Sequence, residues 1–341
     1  NGCYEKDINL EIAYKLKSHL QKAGAIVIMS RIGDTPLGLT ERVLASQENN
    51  VDILICGGIG GAIGVLENST IVKNSRFELS NTLLRTNAAL YGIGGFFGVV
   101  KNSNIQACDA VVGTDGTTTT PTMFSVSNVY VHAIATAYGA GGIVGCYQDD
   151  NNNNSIISQI EINNIKVYTE DKGVKTSVGV LIGQFVANNN STFELSDWSI
   201  NGFRVAANIG AGAGGAVGTA SGDGTGTITL KNGIVNNTIN KNVLNYNSGT
   251  EFLIWETQSK VGGVLGTLKA GTCHIEGITS NSLSLRSDRE CGGLIGETEG
   301  NETKKYLSIK DINLGEVCVS NDNIAYYGCG SKGLLIGKVG K

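Results

Sequence analysis

The chain has 341 residues and a formal net charge of −4, and charged residues make up 16% of it. A nucleic-acid-binding surface would show clustered lysine and arginine, so this composition argues against a nucleic-acid partner. Glycine contributes 48 residues and proline 2, which excludes a collagen-like chain and a proline-rich disordered tract. No apolar run reaches the length of about 18 residues that a membrane-spanning helix needs, so no transmembrane segment is predicted.

The first 55 residues have the pattern of an α/β fold. Apolar residues recur at four-residue spacing at Ile8, Ile12, Leu16 and Leu20. Gly24 follows where a glycine is expected just past a helix C-terminus, so an amphipathic helix is predicted. A buried strand is predicted over residues 25–29, a second helix over 39–47 and a second strand over 52–55. Helix and strand alternate with short connections, which is typical of a parallel sheet.

Residues 4–55 resemble the interior of the zinc-dependent N-acetylmuramoyl-L-alanine amidases, which cut peptidoglycan. The resemblance lies in Glu5-Lys6-Asp7, in Ser30-Arg31-x-x-Asp34 and in the spacing from Leu39 to Arg42. In that family the glutamate that matches Glu5 is a zinc ligand. The resemblance therefore implies Glu5 as a metal ligand and zinc as the cofactor.

This segment departs from the amidase pattern at both zinc histidines. The first belongs to a His-Gly-Gly motif that the sequence does not contain, and Gly58 stands where the second is expected. A catalytic zinc needs three protein ligands and an open position, and Glu5 alone remains. We therefore predict no catalytic residue and no bound cofactor. Zinc enters only if the missing ligands are supplied, which is the case of a fragment of an active amidase.

A five-residue glycine box, such as Gly94-Gly95-Phe96-Phe97-Gly98, recurs eight times after this segment. Its first and last glycines are Gly60 and Gly64, Gly94 and Gly98, Gly141 and Gly145, Gly179 and Gly183, Gly214 and Gly218, Gly262 and Gly266, Gly292 and Gly296, and Gly333 and Gly337. Successive copies are 30 to 48 residues apart, which indicates a repeat architecture. We interpret residues 56–341 as a repeat domain that follows the segment 1–55.

Between the boxes runs an apolar code, clearest at Phe193-x-Leu195-x-x-Trp198-x-Ile200-x-x-Phe203-x-Val205. Alternating residues predict short strands with one buried face, and the extra residue between pairs predicts a bend. Helical periodicity is absent. The sequence therefore predicts a mainly β fold, a parallel β-solenoid or β-helix of about eight glycine-box repeats, preceded by a small incomplete α/β segment. A repeat of this length is compatible with one coil or two.

The box itself is expected to place its central apolar pair in the core. Its flanking glycines are expected to allow positive φ and close backbone approach between stacked coils. A dinucleotide site is a weaker interpretation of the first box, because no amphipathic helix follows Gly64.

The boxes at this spacing resemble the GLUG motif, a repeat of large surface-exposed proteins that include bacterial adhesins and the non-catalytic regions of secreted peptidases. This resemblance implies an extracellular or cell-surface protein with an adhesive, binding or structural role. Its partner would be a cell-surface glycan, peptidoglycan or a protein. The alternatives are a fragment of a peptidoglycan amidase and a polysaccharide-active β-helix enzyme. For that enzyme the candidate carboxylates are Asp109, Asp115, Asp149, Asp150, Asp171, Asp197 and Asp288.

Three smaller features complete the expectations. Cys273 with Cys291, or Cys318 with Cys329, could form disulfides, with buried free thiols as the alternative. The three histidines, His19, His132 and His274, are solitary and are read as surface or core residues. The last box ends four residues before Lys341, so further repeats, a partner or self-association is expected at this edge.

Overall fold

The computed structural model describes residues 59–86, 90–112, 117–119, 121–133, 136–169, 176–207, 212–236, 254–256, 260–287, 290–299, 305–320 and 332–339, together with residues 13–15, 17, 18, 21, 22, 27 and 29. The chain divides into two compact units, Asn1–Leu54 and Ile55–Lys341.

In the first unit, residues 13–15, 17, 18, 21 and 22 are helical and lie within the first predicted helix. Val27 and Met29 are half-buried and belong to no strand, so the predicted strand is wrong at these two residues. A strand also needs a neighbouring backbone to pair with, which the pattern of one segment cannot establish. Glu5, His19, Gly58 and the second helix and strand of the prediction lie outside the described residues. No described helix is long and apolar enough to span a membrane.

The second unit consists of three long parallel sheets, which confirms the predicted parallel β-solenoid. Sheet 1 contains β1 (Ile59–Gly60), β5 (Leu90–Gly94), β11 (Thr136–Gly141), β14 (Ser177–Gly179), β17 (Ala213–Gly214), β21 (Val261–Gly262), β24 (Cys291–Gly292) and β27 (Lys332–Gly333). Sheet 2 contains β2 (Ile63–Glu67), β6 (Phe97–Lys101), β12 (Val144–Asp149), β15 (Ile182–Ala187), β18 (Val217–Gly222), β22 (Leu265–Leu268), β25 (Ile295–Thr298) and β28 (Ile336–Val339). Sheet 3 contains β4 (Phe77–Thr86), β10 (Phe124–Ala133), β13 (Asn154–Thr169), β16 (Thr192–Ala207), β19 (Thr227–Asn236), β20 (Ile254–Glu256), β23 (Gly271–Ser287) and β26 (Lys305–Ser320).

Two small pairs lie beside these sheets. Strands β3 (Thr70–Ile71) and β7 (Asn104–Ile105) pair in parallel, and β8 (Val111–Val112) and β9 (Thr118–Thr119) form an antiparallel pair. The antiparallel pair is an excursion within the second coil, which accounts for one of the longer box spacings. The residues after the first box form strand β2 rather than a helix, so the dinucleotide interpretation has no structural basis there.

Each glycine box corresponds to one coil of the solenoid. Gly60 pairs with Gly94, Gly94 with Gly141 and Gly141 with Gly179, and the same register continues through Gly333. A coil enters the box from sheet 1, leaves it into sheet 2 and returns through sheet 3. The idea that a repeat could hold two coils is therefore wrong, because the long strands of sheet 3 take up the extra residues.

The box is a corner whose central pair is buried, as expected. Phe96 and Phe97 are buried, and their N–H groups both donate to the Ile143 carbonyl oxygen of the next coil, at 3.0 and 2.9 Å. The same arrangement joins the boxes of all eight coils. The expected positive φ is absent from the box glycines that the structure describes. Glycine is needed at these positions because neighbouring backbone comes too close for a side chain. A Cβ on Gly141 would overlap the Val144 carbonyl oxygen and lie 2.8 Å from the Gly183 nitrogen.

Two rows of residues with positive φ lie in sheet 3, at the extra residues of the apolar code. One row contains Gln159, Asp197, Asn232, Gly277 and Asp311, and the other contains Asn81, Asn128, Asn164 and Gly202, with φ between 49° and 67°. A left-handed residue reverses the inside–outside alternation and bends the strand, and asparagine, aspartate and glycine tolerate this conformation best. The predicted bends are therefore present, with a specific backbone conformation as their cause.

The core lies between the box corners and sheet 3. Phe77 and Phe124 of sheet 3 stack with ring centroids 5.1 Å apart, and Phe96 lies 5.4 Å from Phe124. Farther along, Tyr147 of sheet 2 meets Phe193 of sheet 3 at 4.9 Å. In the last described coil the apolar side chains of Leu334 and Val339 are 75% and 70% exposed, and what covers this edge stays a prediction.

A charge network around the buried Glu297 links the last three coils. The Lys260 Nζ lies 3.2 Å from Glu297 and 2.8 Å from Glu299, and the Lys338 Nζ lies 2.6 Å from Glu297. Burial of Glu297 opposes its charge, but the Lys338 hydrogen bond and the Lys260 charge outweigh burial and hold its pKa below the ordinary value.

The close packing of the boxes predicts a contrast between two glycines. Gly141→Ala should lower the free energy of unfolding by about 3 kcal/mol or more, because its Cβ meets fixed backbone atoms. Gly202→Asn should change it by about 0.5 kcal/mol or less, since three coils already have asparagine there and its Cβ would make only ordinary contacts of 3.7–3.8 Å with Asn164. Chemical denaturation measures both. Equal losses would show that the box corner tolerates a side chain.

The Glu297 network predicts acid sensitivity of the last coils. Glu297→Gln should lower the free energy of unfolding at pH 7 by about 1–3 kcal/mol. A lowered pKa in the folded state stabilises above the ordinary glutamate value of about 4.3 and stops stabilising as the pH falls through the folded-state pKa. The difference between wild type and variant should therefore shrink below about pH 4. Thermal melts from pH 3 to 8 test this, with exposed Glu161→Gln as the control; identical wild-type and E297Q profiles would contradict it.

Candidate binding groove

The residues singled out in the sequence do not form a catalytic cluster in the described part of the chain. Asp109 is exposed and pairs with Lys73 at 2.9 Å. Asp149 is buried and accepts hydrogen bonds from Asn151 and Asn153. Among the described residues, no group of three or more histidine, cysteine, aspartate or glutamate side chains could hold a metal ion. The remaining carboxylates are placed as follows: Asp150 accepts a bond from Asn188, Asp197 accepts one from Asn232, and Asp115, Asp171 and Asp288 lie outside the described residues.

The buried cysteines that the structure describes form no disulfide. Cys273 and Cys291 are buried and unbonded to each other, so the first disulfide alternative is wrong and the thiol alternative holds. Burial raises the pKa of the Cys273 thiol to about 12, and it does the same for Cys146. Both thiols therefore stay protonated and unreactive at neutral pH. Cys329 and the side chain of Cys318 are outside the described residues.

A groove of about 510 Å³ lies on the outer face of sheet 3. It is lined by Asn128, Val129, Tyr130, Asn164, Lys166, Val167, Tyr168 and Arg204. This volume is within the range of about 300–1,000 Å³ typical of ligand pockets. Its lining comes from β10, β13 and β16, so the groove crosses three successive coils and runs along the solenoid axis.

The floor of the groove is the asparagine row of the second bend. The Asn164 Nδ2 donates to the Asn128 Oδ1 at 2.8 Å, and the Asn128 Nδ2 donates to the Asn81 Oδ1 at 3.2 Å. These amides fix one coil to the next outside the backbone ladder. Because each asparagine bends its strand, the residues after the bend face outward at an angle to those before it. The residues that line the groove lie at this bend or after it.

An aromatic cluster lies on strands β10 and β13 beside the groove. Tyr130 stacks on His132 with ring centroids 5.5 Å apart and an interplanar angle of 6°. His132 lies 5.0 Å from Tyr168 of the next coil, its register partner. His132 is thus a largely buried residue held between two tyrosines, whereas His274 is exposed. The three rings are therefore in contact across two coils.

Two cations continue the row that Tyr130 begins, because Lys166 is the register partner of Tyr130 and Arg204 is that of Lys166. Arg85 is the register partner of His132 in the neighbouring row. Lys166 is exposed and Arg204 is half-buried. No aspartate or glutamate occupies the corresponding outward positions of these four coils.

Sequence reasoning missed the groove residues. Tyr130, Lys166, Tyr168 and Arg204 are the unassigned positions of the apolar code, where only the inward residues were interpreted. Aligning those positions across the coils would have shown a row of aromatic and basic residues. The groove itself could not be predicted from the apolar code. It depends on the backbone conformation at Asn128 and Asn164, which the code does not specify.

Comparison with known proteins assigns only the first segment. The family model of N-acetylmuramoyl-L-alanine amidases matches residues 1–56. The N-terminal segment is amidase-like. An uncharacterized Bacillus subtilis (strain 168) protein, YqiI, is 29% identical over 82 residues, which is 24% of this chain and 40% of that protein. The chain thus matches less than half of the length of this relative. No solved structure matches the chain.

The asparagine row predicts an ordered set of stabilities at position 128. Asn128→Ala should lower the free energy of unfolding by about 1–2 kcal/mol, because alanine is strained at the φ of 54° found there. Asn128→Gly should cost less, since glycine adopts this conformation freely while losing the same side-chain bonds. Urea denaturation orders the variants. A glycine variant less stable than the alanine variant would contradict the prediction. It would mean that the backbone conformation at residue 128 does not determine the loss of stability.

Proposed function

We propose that this protein is a non-catalytic, GLUG-like repeat protein of the cell surface or the secreted fraction, and that its solenoid binds a glycan along the groove of sheet 3. The single observation that carries the proposal is the groove itself. Equivalent outward positions of successive coils line it, and a site built this way suits a ligand that is extended along the axis. The resemblance of the boxes to the GLUG motif supports the cellular setting.

The amidase-like segment supports peptidoglycan as the first glycan to test. Its family acts on peptidoglycan, and the match covers residues 1–56. We propose that this segment does not cleave, because Gly58 stands where the second zinc histidine is expected. The solenoid would then be the binding part of a protein associated with the cell wall.

The amidase match also favours a second candidate function, in which the chain acts in peptidoglycan cleavage with zinc. This alternative requires metal ligands besides Glu5. A third candidate, a polysaccharide-active β-helix enzyme, has less support, because the carboxylates that the structure describes lie apart from the groove lining.

Sedimentation with insoluble peptidoglycan tests the proposal. Wild-type protein should co-sediment, and Tyr130→Ala combined with Tyr168→Ala should weaken binding by about tenfold or more, because stacking surface is lost. Tyr306→Ala is the matched control, since Tyr306 is 60% exposed on strand β26, away from the groove lining. The expected muropeptide release and stoichiometric zinc content are nil.

Two outcomes would overturn this reading. Muropeptide release with one tightly bound zinc per chain would favour the amidase alternative. Failure to bind peptidoglycan and a panel of other surface glycans, together with binding to a protein ligand, would replace the glycan by a protein partner.

A further inference from the structure

The lining of the groove repeats once per coil. One row consists of Tyr130, Lys166 and Arg204, which are register partners on β10, β13 and β16. The row beside it consists of Asn128 and Asn164, whose side chains share a hydrogen bond of 2.8 Å. Each coil therefore presents its lining side chains about 4.8 Å, one strand spacing, beyond those of the coil before it.

A ligand that runs along the groove meets this spacing. An extended peptide advances about 3.3 Å per residue, so it falls out of step with the coils after a few residues. A linear β-1,4-linked glycan forms a flat ribbon that advances by nearly one strand spacing per sugar ring. Such a chain stays in step, and each ring lies opposite one coil. An α-1,4-linked glycan winds into a helix and does not keep the spacing.

The side chains of both rows suit sugar rings. Tyr130 offers a rigid, amphipathic ring, and Lys166 and Arg204 donate hydrogen bonds to hydroxyl and carbonyl oxygens. An asparagine amide has two N–H donors and two lone pairs on its oxygen, so the bonds along the asparagine row leave capacity for a ligand. These contacts require no charge on the ligand.

The polar lining that the structure describes extends over three coils. Before Tyr130 the row continues to Leu83, which is apolar and 61% exposed. In the third coil the asparagine row continues as Gly202, where a Cβ would meet only Asn164 atoms, at 3.7 and 3.8 Å. The third coil thus contributes Arg204 without an amide. Three polar positions in a row match a bound segment of three sugars.

We propose that the groove binds a linear β-1,4-linked glycan in extended form, parallel to the solenoid axis, with one sugar ring per coil. Three consecutive rings lie opposite Tyr130, Lys166 and Arg204 in turn. This inference rests on the proposed glycan-binding function and adds the linkage, the direction and the length of the bound segment. The sugar chain of peptidoglycan, which is β-1,4-linked, belongs to this class.

Oligosaccharides of two to five sugars test the inference with the wild-type protein alone. Calorimetry with cello-oligosaccharides and chito-oligosaccharides, both β-1,4-linked, should show an affinity that rises about tenfold or more from two sugars to three in at least one series. The change from three sugars to five should stay within about twofold, because the added sugars extend past the lining. Maltotriose, which differs from cellotriose only in linkage, should bind about tenfold or more weakly than the preferred β-1,4 trisaccharide.

An arginine variant removes the contribution of the third coil. Arg204→Ala should reduce the affinity for the trisaccharide to about that of the wild type for the disaccharide, and should change the disaccharide affinity within about twofold. Arg76→Ala is the matched control, since Arg76 is exposed and outside the lining, and it should keep both affinities. Thermal melts of both variants report folding. An equal loss for the two lengths in a folded Arg204→Ala variant would contradict one ring per coil.

The outcomes separate the inference from the proposed function. Equal affinity for β-1,4 and α-1,4 chains, or a rise that continues evenly to five sugars, would overturn the inference and leave glycan binding intact. Sedimentation with peptidoglycan but no binding to either β-1,4 series would also overturn the inference alone. Absence of binding to every oligosaccharide and to peptidoglycan would overturn both.

Discussion

The solenoid depends on a shared acceptor at each box corner. A chain that turns through a buried corner leaves two consecutive N–H groups pointing the same way, and an unpaired buried N–H is costly. Here both donate to a single carbonyl oxygen one coil away, as Phe96 and Phe97 do to Ile143. This geometry leaves no room for a Cβ at the flanking positions, so glycine is required by contact rather than by φ. Once the corners are in register, the three sheets have only one register to adopt.

The groove is a consequence of that register. Sheet 3 bends at a left-handed residue in each coil, and in three of them this is an asparagine that also bonds to its neighbours. The bends align because the boxes align. The positions after the bend then form rows, and the side chains in a row act as one surface even though each comes from a different repeat. A scaffold with loosely stacked coils could not hold Tyr130, Lys166 and Arg204 in a line.

The sequence was most informative in the repeat region. The boxes and the apolar code predicted the solenoid, the buried central pair and the bends, because eight imperfect copies average out local noise. It was wrong about positive φ at the boxes, since a single box cannot show that another coil's backbone lies against its glycines. The sequence did not predict the groove. Tyr130 and Lys166 are far apart in the chain and become neighbours only when β10 pairs with β13. In the first segment the family pattern was recognisable, while Val27 shows that a pattern alone does not supply a partner strand.

One coil per box has a mechanical meaning. All the backbone hydrogen bonds between coils run along the solenoid axis, so tension applied evenly along that axis loads the bonds of three sheets at the same time. Tension applied to one end of the chain would instead peel a coil away strand by strand.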